Sequence, residues 1–283
     1  MTPLPSARRA LIGSMLRRYR ETRGYKLEDA ARILECDPSK ICRVETGQRG
    51  IHPKELGELL TEYEVDANAI KTLLTIARAG STNGWWSDYR KVLPPNSIDF
   101  ISVESVASHL WIYAPLQIPE VLWTYNYGLA VAVADPTISE GTEDAVVEAV
   151  TGYRKASLFN RRPECSIILG EAALRQQIGD QPIMRAQLTH LADLGGPSYP
   201  WLSIRILPFT ASAHAAADSG GFSLLQFSGM PDLGLVKAAG PRGGIAFSDP
   251  STVDAYAMTF RQTHPFTLNA QQSTLRLRQL ASR

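Results

Sequence analysis

Ser39, Lys40 and Arg43 lie within one short segment, "CDPSKICRVETGQRG" (36–50). A hydroxyl, an ammonium and a guanidinium on one helical face are donors suited to phosphate oxygens and to the acceptor edges of bases. The segment itself reads as a helix: Asp37 suits the N-cap, Pro38 the first helical position, and Gly47 the place just past the end. Arg49 comes after the helix as a further candidate for a phosphate. Arg18 and Lys26 belong to a basic stretch in which Arg8, Arg9, Arg17, Arg18, Arg20, Arg23 and Lys26 face the single acid Glu21. The whole chain carries a net charge of only +1, so any nucleic-acid surface is local and not a field over the entire protein.

A pair of helices that presents such a face has positional demands: a small residue at the crossing, apolar residues at the corner, and a polar outer face on the second helix. Ala31 is the small residue. Ala30, Leu34, Cys36, Ile41 and Val44 supply the apolar set, leaving Ser39, Lys40 and Arg43 outside. Around this pair the periodicity is helical from Ala7 to about Gly80, in five pieces. Leu11, Met15 and Tyr19 form an apolar stripe in the first, and Leu56, Leu59, Leu60 and Tyr63 in the fourth.

With those spacings, "LEDAARILECDPSKICRVETGQRG" resembles the Xre/Cro family of helix-turn-helix regulators, and "HPKELGELLTEYEVD" is similar to that family's fourth helix. Arg43, Glu45 and Gly47 match its R-x-E-x-G where the recognition helix ends. The resemblance implies a five-helix, lambda-repressor-like domain that binds double-stranded DNA through Ser39, Lys40, Arg43 and Arg49, with Arg18 and Lys26 on the backbone; one such head buries little DNA surface, so a homodimer spanning two half-sites is the expectation. Two positions depart from the pattern: Lys26 and Leu27 replace Ser/Thr-Gln, and Glu35 stands where glycine makes the turn, at the cost of some strain.

"AGSTNGWWSDYRKVLPPNSID" breaks the periodicity as a domain boundary does, with Trp85 and Trp86 expected to anchor on the next domain. The expected organisation is a helix-turn-helix domain over 1–80, a linker over 81–98, and a mixed α/β (α+β) sensor or partner-binding domain over 99–283. In the last, "FISVESVASHLWIYA" and "TEDAVVEAVTGYRKASLF" read as helices and "PLQIPEVLWTYNYG" as an extended or turn segment. "CSIILG", "LSIRILPF", "GFSLLQF" and "LGLVKAA" read as strands, "EAALRQQIGDQPIMRAQLTHLADLG" as a helical interlude, and two helices close the chain. "GWWSDYRKVLP", "ILGEAALRQQIG" and "IRILPF" before "GGFSLLQF" resemble the domain attached to such heads in actinobacterial WhiJ-like regulators. That resemblance implies an antitoxin-like protein with a small partner encoded nearby. Glu120 and Trp123 depart from it, replacing a glycine and a glutamine.

Catalysis is not expected. His109, His190, His214 and His264 are scattered without a metal-ligand spacing, and no nucleophile elbow or phosphate-cradling glycine loop occurs. Glu104 and Glu171 read as caps or satisfied buried carboxylates before pocket acids. No cofactor is called for. Trp111, Tyr113, Trp123, Tyr125 and Tyr127 fall within seventeen positions and could line a pocket for a small-molecule effector, form a partner interface, or be core. Cys36, Cys42 and Cys165 make neither a C-x-x-C pair nor an even set, there is no apolar run of membrane-spanning length, and arginines interrupt the N-terminal apolar stretch. A cytoplasmic protein is the expectation.

Overall fold

The computed structural model describes residues 6–79, 85–240 and 244–282. Five helices make the head: α1 (Ala7–Thr22), α2 (Leu27–Ile33), α3 (Pro38–Glu45), α4 (Pro53–Glu62) and α5 (Ala67–Ala79). All but α2 begin at a residue whose side chain accepts from the first free N–H groups. The Ser6 hydroxyl accepts from Arg9 N and the Asp37 carboxylate from Ser39 N. His52 Nδ1 accepts from Lys54 N, and the Asp66 carboxylate from Asn68 N. At α2, where Lys26 has no acceptor to offer, the Asp29 carboxylate reaches back to Lys26 N at 2.8 Å. Leu11, Leu16, Ile41, Leu56, Leu60, Leu73 and Ile76 are sealed inside.

The body is a six-stranded sheet with helices on both faces. Its strands are β1 (His109–Ala114), β2 (Glu164–Gly170), β3 (Leu202–Leu207), β4 (Phe222–Phe227), β5 (Met230–Ala238) and β6 (Ile245–Phe247), in the order β3-β2-β1-β4-β5-β6. β1, β2 and β3 are parallel, and β4, β5 and β6 extend the sheet antiparallel from β1. α6 (Pro95–Glu104) precedes β1. α7 (Tyr125–Ala134), α8 (Glu143–Val147), a π-helical stretch (Glu148–Arg154) and α9 (Lys155–Arg161) carry the chain to β2, and α10 (Glu171–Arg175) and α11 (Gln181–Leu194) to β3. These long crossovers are what parallel pairing requires. α12 (Pro250–Thr263) covers the opposite face, packing Val253, Ala257 and Phe260 on Leu224 and Val236, while α13 (Ala270–Ala281) lies beside α11. Head plus α/β body is the architecture expected from sequence.

Three local readings are corrected. "SHLWIYA", expected as the end of a helix, is β1, the strand at the centre of the sheet. With Leu110 and Ile112 buried on one face and Tyr113 on the other, it shows a continuous apolar run and no alternation. "PLQIPEVLWTYNYG" begins in a bend and holds a 3-10 turn at Glu120–Leu122, as a turn segment would, but its end starts α7. The helical interlude before β3 is two helices, broken between Gln176 and Asp180, where Gly179 has φ +65°.

Head and body share one apolar cluster. In the segment expected as linker, residues 80–84 and the side chain of Trp85 lie outside the described residues, whereas Trp86 and Leu93 are buried. Asp99 of α6 fastens the joint, accepting from both Ser6 Oγ and Arg8 N at 3.0 Å, while Arg8 Nη1 donates to Ala77 O. A carboxylate at a helix N-terminus meets its free N–H groups and its positive dipole end, so α6 caps α1 across the joint.

Candidate nucleic-acid interface

α3 is short, and its placement rests on a backbone approach. A Cβ on Gly13 of α1 would lie 2.4 Å from Val44 O and 2.7 Å from Glu45 O, so only glycine lets α1 sit against the C-terminal end of α3. Beside that contact, Arg20 Nε and Nη2 donate to the two carboxylate oxygens of Glu45 at 2.6 and 2.8 Å, and Arg20 Nη1 donates to Tyr25 O. Both side chains are buried, and the hydrogen bonds to Glu45 hold the Arg20 guanidinium above its ordinary pKa. Ile41 and Val44 are sealed beneath, which leaves Ser39, Cys42 and Arg43 exposed on the outer face.

The turn before α3 is made by Glu35 at φ 47°, a left-handed conformation that a side chain strains, and α3 ends at Gly47 with φ 70°. Arg43 curls back, its Nε donating to Ser39 O at 3.2 Å and Nη2 to Ser39 Oγ at 3.4 Å, so the two expected base readers share one patch. Arg49 N donates to Arg43 O, which places the exposed Arg49 just past that patch. Lys26 is exposed at the start of α2.

Two expected contacts are placed differently. Lys40 Nζ bonds Glu55 of α4 at 2.5 Å with its side chain largely buried, and this bond holds the Glu55 carboxyl below its ordinary range. Its charge is therefore spent inside the head. Arg18 stands on the side of α1 that faces the body, lining a groove with Met230 and Leu233 of β5, apart from the α3 surface. Sequence reasoning missed Gly13, Arg20 and Glu55. A glycine within the apolar stripe of α1 was the available signal for the first; no sequence signal ties Lys40 to a glutamate fifteen residues on.

In the body the five aromatics line no common pocket, and Tyr113, Trp123 and Tyr127 are buried in the core, one of the three readings the sequence left open. Trp111 and Tyr113 project from one face of β1, Trp111 stacked on Phe260 at 5.1 Å and the Tyr113 hydroxyl donating to Ala216 O. Trp123 and Tyr127 are buried in the cluster on the other face, Trp123 Nε1 donating to Ile118 O at 2.7 Å. Tyr125 alone is well exposed, paired with Asp144. Trp111 and Tyr113, two residues apart on one strand, share a face, and Trp123 and Tyr127, after the strand, pack on the other, so the sheet divides the set.

The two glutamates are satisfied, as the residues suggested. Glu104 is held by Arg154, and Glu171 accepts from Arg175, Arg276 and Phe209 N. Burial alone would raise the Glu171 carboxyl; the hydrogen bonds from Arg276 and Arg175 outweigh it and hold it below its ordinary range. Among the described residues no cluster of His, Cys, Asp or Glu could hold a metal ion, and no helix is long and apolar enough to cross a membrane.

Comparison with known families divides the chain in the same way. A model described as a helix-turn-helix domain matches residues 11–73, and one described as a domain of unknown function, DUF5753, matches residues 98–279. No curated protein and no solved structure matches the chain.

Proposed function

The chain belongs to the family of the domain of unknown function DUF5753, and from that premise, with a helix-turn-helix domain at its head, we propose that it is a DNA-binding transcriptional regulator whose body responds to a small ligand or a partner protein. The observation that carries the reading is the outer face of α3, where Ser39 and Arg43 stand exposed above a buried Ile41 and Val44 on a helix locked to α1 through Gly13. The N-terminal half of α3 enters the major groove; Ser39 and Arg43 meet base edges, and Arg49 and Lys26 meet phosphates.

Lys40 joins them only after leaving Glu55. The head is read as Xre/Cro in type, supported by Arg43 outside, Glu45 clamped on Arg20 and Gly47 left-handed. The WhiJ-like, antitoxin-like association with a small partner belongs to the same proposal, as does a homodimer placing two heads about 34 Å apart. Catalysis has no part in the reading, which the engagement of Glu104 and Glu171 in ion pairs supports.

The test is fluorescence anisotropy of the full chain on promoter-proximal DNA from its own gene and on a scrambled duplex, at two salt concentrations. Tighter binding to the first is expected, falling steeply with salt. Arg43→Ala costs about 10- to 100-fold on the specific duplex, the worth of one base contact, whereas Glu55→Gln, which frees Lys40, tightens binding to both. Equal weak binding to both duplexes by all three proteins would sink the reading.

A further inference from the structure

Lys155 opens α9 one residue after Arg154, and the two cations are treated differently. Arg154 meets two glutamates. Lys155 is half-buried, and among the described residues no carboxylate forms an ion pair with it. Its Nζ lies 6.0 Å from the centroid of the Phe159 ring, which packs edge-on against Tyr199 and Trp201. Two hydrogen bonds hold it: one donated to Trp123 O at 3.1 Å, the other to His190 Nε2 at 2.6 Å. A lysine drawn out of water without a carboxylate gives up its proton readily, and the neutral amine is a nucleophile.

The two partners suit the neutral amine as well as the ammonium. An ammonium has three N–H donors, of which the structure uses two. The neutral amine keeps two, enough for Trp123 O and His190 Nε2, and its lone pair stands where the third proton was. Losing that proton therefore costs no hydrogen bond. Burial favours the loss and brings Lys155 down to about 8. Burial, then the Lys155 charge, holds His190 at about 4, so the imidazole is neutral and its Nε2 is the acceptor. His190 also lines an open hollow of about 560 Å³ along α11, together with Thr189 and the charged Arg185 and Asp193. One imidazole thus joins the amine to a space of small-molecule size.

We propose that Lys155 forms a Schiff base with a small aldehyde or ketone held at the hollow along α11, with His190 as the proton carrier. The nitrogen lone pair bonds to the carbonyl carbon while the C=O π pair moves to oxygen. His190 Nε2 takes a proton from the nitrogen and returns it to that oxygen. Both amine hydrogens leave with the oxygen as water, and an imine remains; nothing is oxidised or reduced. The site stands whether or not the head binds DNA.

The probe is acetaldehyde, added to the full chain at about pH 7 with cyanoborohydride, which reduces the imine to a stable secondary amine that peptide mass spectrometry locates. An ordinary lysine, with a pKa of about 10.4, holds far less neutral amine at that pH than Lys155. Lys155 is therefore expected to be labelled about tenfold or more faster than the exposed Lys26 and Lys54, and its rate to level off above about pH 8 while theirs still climb. In urea the preference should vanish. His190→Gln keeps a hydrogen-bond acceptor for Lys155 but carries no proton, so it should slow Lys155 by about tenfold or more and leave Lys54 unchanged. Thermal melts confirm that the variant folds. Labelling of Lys155 no faster than that of Lys54 in the folded chain would overturn the site, and an undiminished rate in folded His190→Gln would overturn the role of the imidazole.

Discussion

Head and body each bury an arginine against carboxylate, and they do so for different ends. In the head, Arg20 and Glu45 join two helices that already meet backbone to backbone at Gly13, and the partners are only 25 residues apart in the chain. In the body, Arg154 leaves the end of the π-helical stretch and donates to both oxygens of Glu104 on α6 and, through Nη1, to Glu120 at 2.5 Å, partners 50 and 34 residues away. Burial would lower the Arg154 guanidinium, and the two carboxylates more than offset it. The head's pair adds to a contact fixed by shape. The body's cluster ties together three elements far apart in the chain, α6, the 3-10 turn at Glu120 and the π-helical stretch, beside the core that Val103, Val121 and Val150 share.

The largest effect that could break this comparison is therefore in the body. Arg154→Met leaves Glu104, 4% exposed, without its counter-ion, and a buried carboxylate stripped of its partner costs about 3–5 kcal/mol. Urea unfolding should show that loss; a change below about 1 kcal/mol would mean that the cluster holds nothing.

Next comes the head's shape-fixed contact. In an ordinary helix interior, alanine for glycine stabilises by about 1 kcal/mol. At Gly13 the sign reverses, because the new methyl meets two backbone carbonyls that cannot turn aside; Gly13→Ala is expected to lose about 2 kcal/mol and to weaken DNA binding. A stabilised variant would show that α1 and α3 have room.

A third prediction concerns pH. Burial, then the nearby Lys155 ammonium, pushes His190 down to about 4, with Lys155 Nζ 2.6 Å from its Nε2 and itself lowered by burial to about 8. The unfolded chain protonates this imidazole near the ordinary value of about 6.5. Its contribution is thus full above about 6.5 and is lost as pH falls toward 4. The half-buried site is partly screened, so the difference is on the order of 1 kcal/mol. Melting curves at pH 7 and pH 4.5 should converge between parent and His190→Gln at the lower value, the glutamine keeping an acceptor for Lys155. Parallel curves would show that His190 titrates freely.

The smallest effect is at the turn before α3. Glu35→Gly relieves a left-handed side chain and should raise the head's stability by about 0.5–1 kcal/mol, read as a higher melting temperature. No gain would mean that the Glu35 side chain contributes as much as its backbone costs.

The sequence by itself determined what local chemistry can: the cap at Asp37, Pro38 at the head of α3, Gly47 at its end, the strained Glu35, the helical head and the strands β2 to β5. Caps and turns act over three or four residues, so neighbours in sequence suffice to specify them. Only the tertiary structure decided that "HLWIYA" is the central strand, because a strand covered on both faces loses the alternation that marks it. It also decided which charges are available at the surface. Lys40 and Arg43 look alike on a helical face, but α4 brings Glu55 to the first and leaves the second exposed. The five aromatics near Trp123 were scattered for the same reason: a sheet passing between residues close in sequence sends their side chains to separate cores.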